Sequence, residues 1–161
     1  MIVVGIDPGV TGAIGFIGRN TAKVFDLPTV AIPGTGTVKR RVSGPGLYEI
    51  LLANCPADEP CVVLIENVMQ SMGGQGSSSQ TQGSQMQTFG TIQCCVELMG
   101  ITPTLIHAKK WKGFYGLGSD KKKSNECARR LWPTLNEITR AKDHNRAEAL
   151  LIAQYGLQHL T

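Results

Sequence analysis

Two carboxylates each close a short apolar run. Ile2-Val3-Val4-Gly5-Ile6 leads into Asp7, and Cys61-Val62-Val63-Leu64-Ile65 leads into Glu66. Runs of this length read as buried β-strands, and in an α/β sheet the strand ends are where ligands bind. A charge at the end of an apolar strand is costly unless it is solvated, paired or metal-bound. A third carboxylate, Glu148, sits on the face of an otherwise apolar helix through Ala147-Ala149-Leu150-Leu151-Ile152-Ala153. If the two strands are neighbours and the helix packs across their ends, three carboxylates converge. Like charges that close need a cation, and Mg²⁺ or Mn²⁺ supplies it. No C-x-x-C or histidine cage is present, so a catalytic metal must be held mainly by carboxylates.

The run Asp143-His144-Asn145 precedes Glu148. At about 100° per residue His144 and Asn145 share the face of Glu148, whereas Asp143 lies off it and can serve as an N-cap. His144 is the first candidate for a fourth catalytic group, as metal ligand or as base for an attacking water, and Asp143 is the second.

The formal net charge is +4, unevenly spread. Between His107 and Trp132 lie Lys109, Lys110, Lys112, Lys121, Lys122, Lys123, Arg129 and Arg130, opposed only by Asp120 and Glu126. A second basic cluster is Lys39-Arg40-Arg41. Interleaved with Trp111, Phe114 and Tyr115, these clusters point to a polyanionic partner, although a solvated face is the plainer reading of any one of them.

The elements that must position these residues follow from pattern. Strands are expected at 2–7, 13–17, 22–27, 61–66 and 104–106. Residues 28–45 read as loop. Helices are expected over 47–54, about 85–100, from the Ser119-Asp120 cap to Leu131, and from Asp143 or His144 onward. The order predicts a mixed sheet covered by helices, a three-layer α/β arrangement in one domain. Between Gln70 and Thr88, Gln, Ser and Gly supply 15 of 19 residues with no charge, so about 70–84 reads as a mobile loop beside the site.

With 42% apolar and 17% charged residues in 161, a disordered polyelectrolyte is excluded. No apolar run approaches the roughly 20 residues of a membrane span, and no basic segment precedes an apolar core at the amino terminus. Cys55, Cys61, Cys94, Cys95 and Cys127 suggest no disulfide framework. They read as buried thiols in a cytoplasmic protein.

Four collinear motifs resemble RuvC-type Holliday-junction resolvases of the RNase H-like superfamily, nearest to the compact phage-encoded members. They are Gly5-Ile6-Asp7-Pro8-Gly9-Val10-Thr11-Gly12, Leu64-Ile65-Glu66-Asn67-Val68, Gly116-Leu117-Gly118-Ser119 with Lys121-Lys122-Lys123-Ser124, and Arg146-Ala147-Glu148-Ala149-Leu150-Leu151-Ile152-Ala153. The resemblance implies an RNase H-like fold with a central five-stranded mixed sheet. It implies two Mg²⁺ ions, replaceable by Mn²⁺, on Asp7, Glu66 and Glu148, and hydrolysis of a phosphodiester to 5′-phosphate and 3′-hydroxyl ends. It also implies DNA-phosphate contacts from Lys112 and Lys121 to Lys123, and a wedge at Met69 where many relatives carry an aromatic. The expected partners are branched DNA, above all four-way junctions, and a second copy of the chain in a homodimer. Its expected interface is the 85–100 helix with Met86, Phe89, Ile92, Val96 and Met99. Such a protein would act in a bacterial cytoplasm, its own or a phage host's.

Overall fold

Strand β1 (Ile2–Asp7) pairs antiparallel with β2 (Ala13–Ile17), and β2 with β3 (Ala22–Asp26). On its other side β1 runs parallel to β6 (Cys61–Glu66), which runs parallel to β7 (Thr104–Ile106). The sheet order is therefore β3-β2-β1-β6-β7. This is a computed structural model, and it describes residues 1–34, 39–68, 79–118 and 120–160, with Lys121 described in its backbone alone.

Side-chain alternation divides the core in two. Val3, Ala13, Leu64 and Ile106 face α5 (His144–His159), joined by α3 (Ala108–Phe114) and α4 (Lys121–Leu131). Val4, Ile6, Ile14, Val63 and Ile65 face α1 (Gly44–Asn54) and α2 (Ser79–Leu98). The result is the expected three-layer mixed α/β arrangement.

Two glycines seat α5 across the sheet. Gly5 and Gly15 are register partners on β1 and β2. A Cβ on Gly5 would collide with the Ala149 carbonyl and the Ala153 backbone nitrogen, and one on Gly15 would press on Ala149 and Leu150. The helix backbone thus lies directly on the sheet, which brings Glu148 to the strand that ends in Asp7. Gly12 closes the turn after Asp7, where a Cβ would strike the Asp7 carbonyl.

The structure departs from the sequence expectation in five elements. The loop expected over 28–45 contains a hairpin, β4 (Thr29–Ile32) with β5 (Lys39–Val42), forming a separate two-stranded sheet. The β-branched side chains of β4 suit a strand. The charged β5 shows no apolar alternation, and Arg40 pins it by donating from Nε to Thr29 Oγ1 at 2.7 Å and from Nη2 to the Thr29 carbonyl at 2.8 Å. Helix α1 starts at Gly44 rather than 47, because the Ser43 hydroxyl accepts from the Gly46 N–H at 3.2 Å and caps it. Helix α2 starts at Ser79, so 79–84 are helical where loop was expected; residues 70–78 lie outside the described residues. Glutamine is a good helix former, and a helix anchored by Phe89, Ile92 and Val96 extends at one hydrogen bond per residue. Helix α3 was not expected at all, since only Trp111 of its seven residues is buried and no period emerges.

Nor are all the thiols buried: Cys94 is exposed, and Cys61 and Cys127 are half-buried. Pairs of solvent-facing positions alternate with core positions along α2, and Cys94 falls on the outer side. Among the described residues no helix is long and apolar enough to cross a membrane.

Candidate active site

Parallel pairing puts the carboxyl-terminal ends of β1, β6 and β7 at one sheet edge. Ile6 is opposite Ile65, so Asp7 and Glu66 end adjacent strands one step further on. Glu66 is opposite Ile106, and β7 leads directly through His107 into α3. The Asn145 side chain, at the start of α5, donates to the Thr11 carbonyl at 2.5 Å and ties that helix to the turn after Asp7.

Glu66 and Glu148 are held by donors from two helices. The Trp111 indole N–H donates to Glu66 Oε2 at 2.8 Å. The Lys112 ammonium donates to Glu148 Oε1 at 3.1 Å, and the buried Ser124 hydroxyl donates to the same oxygen at 3.0 Å. Burial pushes the Glu66 carboxyl above its ordinary range, and the negative charge of Glu148 adds to this; the indole bond and the Lys112 charge act against it. The two carboxylates therefore repel each other with one ammonium charge acting on both.

The sequence-expected residues divide accordingly. Asp7 and Glu66 share the sheet edge, and Glu66 and the helix residue Glu148 feel each other's charge. A tight three-carboxylate cluster is not formed: among the described residues no three His, Cys, Asp or Glu side chains are grouped to hold a metal ion. The donors Trp111, Lys112 and Ser124 hold two of the carboxylates individually. Even so, hard oxygen donors and their mutual repulsion favour a hard divalent ion, for which the Lys112 ammonium on Glu148 is a competitor. Carboxylate oxygen is the donor type that hard divalent ions take.

Asp143 is engaged elsewhere. It is buried, accepts from the Arg140 backbone N–H at 2.8 Å, and pairs with the Arg140 guanidinium at 2.8 Å. Burial works to raise its carboxyl, but the Arg140 hydrogen bonds outweigh that and hold it below its ordinary range. It stands at the N-cap position of α5 without capping it. His144 begins α5 four residues before Glu148, as expected for a shared face. It also lines a cleft of about 630 Å³ with Thr11, Asp26, Asp143 and Asn145, and none of the three carboxylates lines that cleft.

Of the basic residues, Lys39, Arg40, Arg41, Lys109, Lys110, Lys122 and Lys123 are exposed. Lys112 is only half-exposed and is spent on Glu148. Arg129 is structural, donating to the Ile138 and Thr139 carbonyls at 2.8 and 2.6 Å. Met69 and the Lys121 side chain lie outside what is described. Trp111 and Ser124 were missed as site residues. The only signal for Ser124 was its place in the Lys121-Lys122-Lys123-Ser124 motif, and for Trp111 its position next to Lys112.

No family model and no curated protein matches the sequence. Solved structures do match. T. thermophilus RuvC in complex with Holliday junction substrate is similar at a TM-score of 0.63 and 13% identity, over 98% of this chain and 95% of that one. A second Thermus thermophilus RuvC structure is similar at a TM-score of 0.58 and 17% identity, over 100% and 98%. At such identities the likeness is one of fold, and it spans the whole sheet with its covering helices. The chain has the RuvC-type, RNase H-like α/β fold.

Proposed function

We propose that this protein is a structure-selective DNA endonuclease that resolves four-way junctions by paired, symmetric nicks. The observation that carries this reading is that Asp7 and Glu66 end adjacent parallel strands of a RuvC-type sheet, with the helix carboxylate Glu148 near enough to Glu66 for its charge to act on it. One of the similar structures is RuvC with a Holliday junction substrate, which favours DNA of that shape as the ligand.

In this reading Asp7, Glu66 and Glu148 hold two Mg²⁺ ions, with Mn²⁺ able to substitute. When bound, the ions supply an activated water and charge stabilisation for an in-line phosphodiester hydrolysis. The chain's own residues do the rest. Ser124 keeps Glu148 oriented, and Lys112 offsets the Glu148 charge. His144 is the group on the Glu148 face suited to completing the site as ligand or base, whereas Asp143 serves Arg140. Lys109, Lys110 and Lys121 to Lys123, together with Lys39 to Arg41, hold phosphates of the junction arms. Such contacts position DNA without reading sequence. Met69 acts as an apolar wedge at the junction. Two copies of the chain, as a two-fold dimer, supply the two nicks.

A cleavage panel tests the reading. Four-way junction, fork, flap and linear duplex are compared with Mg²⁺, Mn²⁺ and Ca²⁺. Cutting of the junction well above the rest, with Mg²⁺ or Mn²⁺, is expected. Equal cutting of forks and flaps makes it a broader branched-DNA nuclease, and binding without cutting makes it a junction-binding protein.

A further inference from the structure

Consecutive residues of one short helix hold carboxylates from two other elements. Trp111 is fully buried in the core under α5, and its Nε1–H meets Glu66 Oε2 at 2.8 Å. Lys112, next in the chain, meets Glu148 Oε1 at 3.1 Å, and its ammonium lies 5.0 Å from the Trp111 ring centroid. An indole offers one donor and no acceptor, so it engages one carboxylate oxygen and takes no part in proton transfer. A close-packed indole is also locked in its rotamer. Glu66 is therefore gripped at Oε2 by a group that cannot swing away, which leaves Oε1 for a second partner.

We propose that Trp111 is the positioning residue of Glu66: its N–H occupies Oε2 and fixes the carboxylate so that Oε1 serves a divalent cation. This rests on the reading of Glu66 as a metal-binding carboxylate. Partners that orient a ligand in this way are worth about 10–100-fold in metal affinity. A tryptophan that only fills space contributes ring area, most of which phenylalanine retains. The two roles therefore separate at the N–H. The indole, one hydrogen bond from a ligand, is also a built-in reporter of the cation.

The test is a Mn²⁺ titration of the full chain, followed by calorimetry and by tryptophan emission. The chain has two tryptophans, so Trp132→Phe leaves Trp111 as the sole emitter. Mn²⁺ is expected to change Trp111 emission with the midpoint found by calorimetry. Trp111→Phe should bind Mn²⁺ about 10-fold more weakly or worse while keeping its affinity for junction DNA in chelator. Glu66→Gln, whose amide oxygen still accepts from the indole, should abolish both the heat and the emission change. Calorimetric binding with silent Trp111 emission, or unchanged affinity in Trp111→Phe, would overturn the proposal. If Trp111→Phe does not fold, the emission titration, which keeps Trp111, still overturns the proposal when emission stays silent. Heat that persists in Glu66→Gln would instead remove Glu66 from the metal site, and the proposal with it.

Discussion

Glu148 is nearly buried on a helix, yet it finds an ammonium and a hydroxyl from two other helices. Its importance was legible in sequence because a carboxylate amid alanine and leucine demands compensation; its partners were not, since they depend on how three helices pack. The same holds for Asp7 and Glu66, legible as strand-end charges; Trp111 was marked only by its place beside Lys112 in the basic cluster. Neutral amides cannot balance divalent ions. Asp7→Asn, Glu66→Gln and Glu148→Gln are each expected to lower junction cleavage by more than about 100-fold, beyond what loss of an orienting partner costs, with binding kept. Cleavage rates and gel-shift titrations on the same preparations check this. Asp143 and His144 should part company. His144→Ala is expected to slow cleavage, whereas Asp143→Ala removes charged hydrogen bonds to Arg140 and should cost about 1–3 kcal/mol of stability, read by denaturant melts, with cleavage of the folded protein retained.

At the scale of elements, the central strands and α5 were legible because a buried strand or helix has a pattern. The β4–β5 hairpin, the first turns of α2 and the whole of α3 were not, because exposed or two-turn elements have none. Their placement came from Arg40 bridging to Thr29, from the packed end of α2, and from Trp111. The seat of α5 is as strict as any side chain. Gly5→Ala is expected to cost about 3 kcal/mol, since the clash is with helix backbone that cannot give locally; an unchanged unfolding midpoint would contradict the close approach.

Ion pairs add a pH dependence at this scale. The Arg146 hydrogen bond holds Asp26 below its ordinary range, and the net effect on Asp143 has the same sign. A lowered carboxyl stabilises the fold above its unfolded value, and that contribution is lost as pH falls through the lower folded value. Thermal stability should hold from neutral pH down to about 4 and then fall. Arg146→Met should flatten part of that fall. The lysine run at the head of α4 belongs here too. Replacing Lys121, Lys122 and Lys123 with Gln should reduce the salt slope of DNA binding by about 0.9 per lost phosphate contact. An unchanged slope would make the run a solvated face.

At the scale of the molecule, the RuvC-type fold spans the chain at only 13–17% identity. What such distant chains share is the fold, which in this chain an apolar pattern with punctuating glycines encodes. The dimer expected of a resolvase needs surface beyond the core. Helix α2 spends Phe89, Ile92 and Val96 on the sheet and leaves Met86 and Leu98 outward, a narrower apolar face than its sequence suggested. The measurement that bears most directly on the whole account is the nicking of a supercoiled plasmid carrying an extruded cruciform, with Mg²⁺, by the wild-type chain and by Glu66→Gln. The account predicts that the wild type linearises the plasmid through paired nicks within one binding event and that Glu66→Gln leaves it supercoiled. Mainly single-nicked circles would contradict paired resolution, and linearisation by Glu66→Gln would contradict the carboxylate site itself.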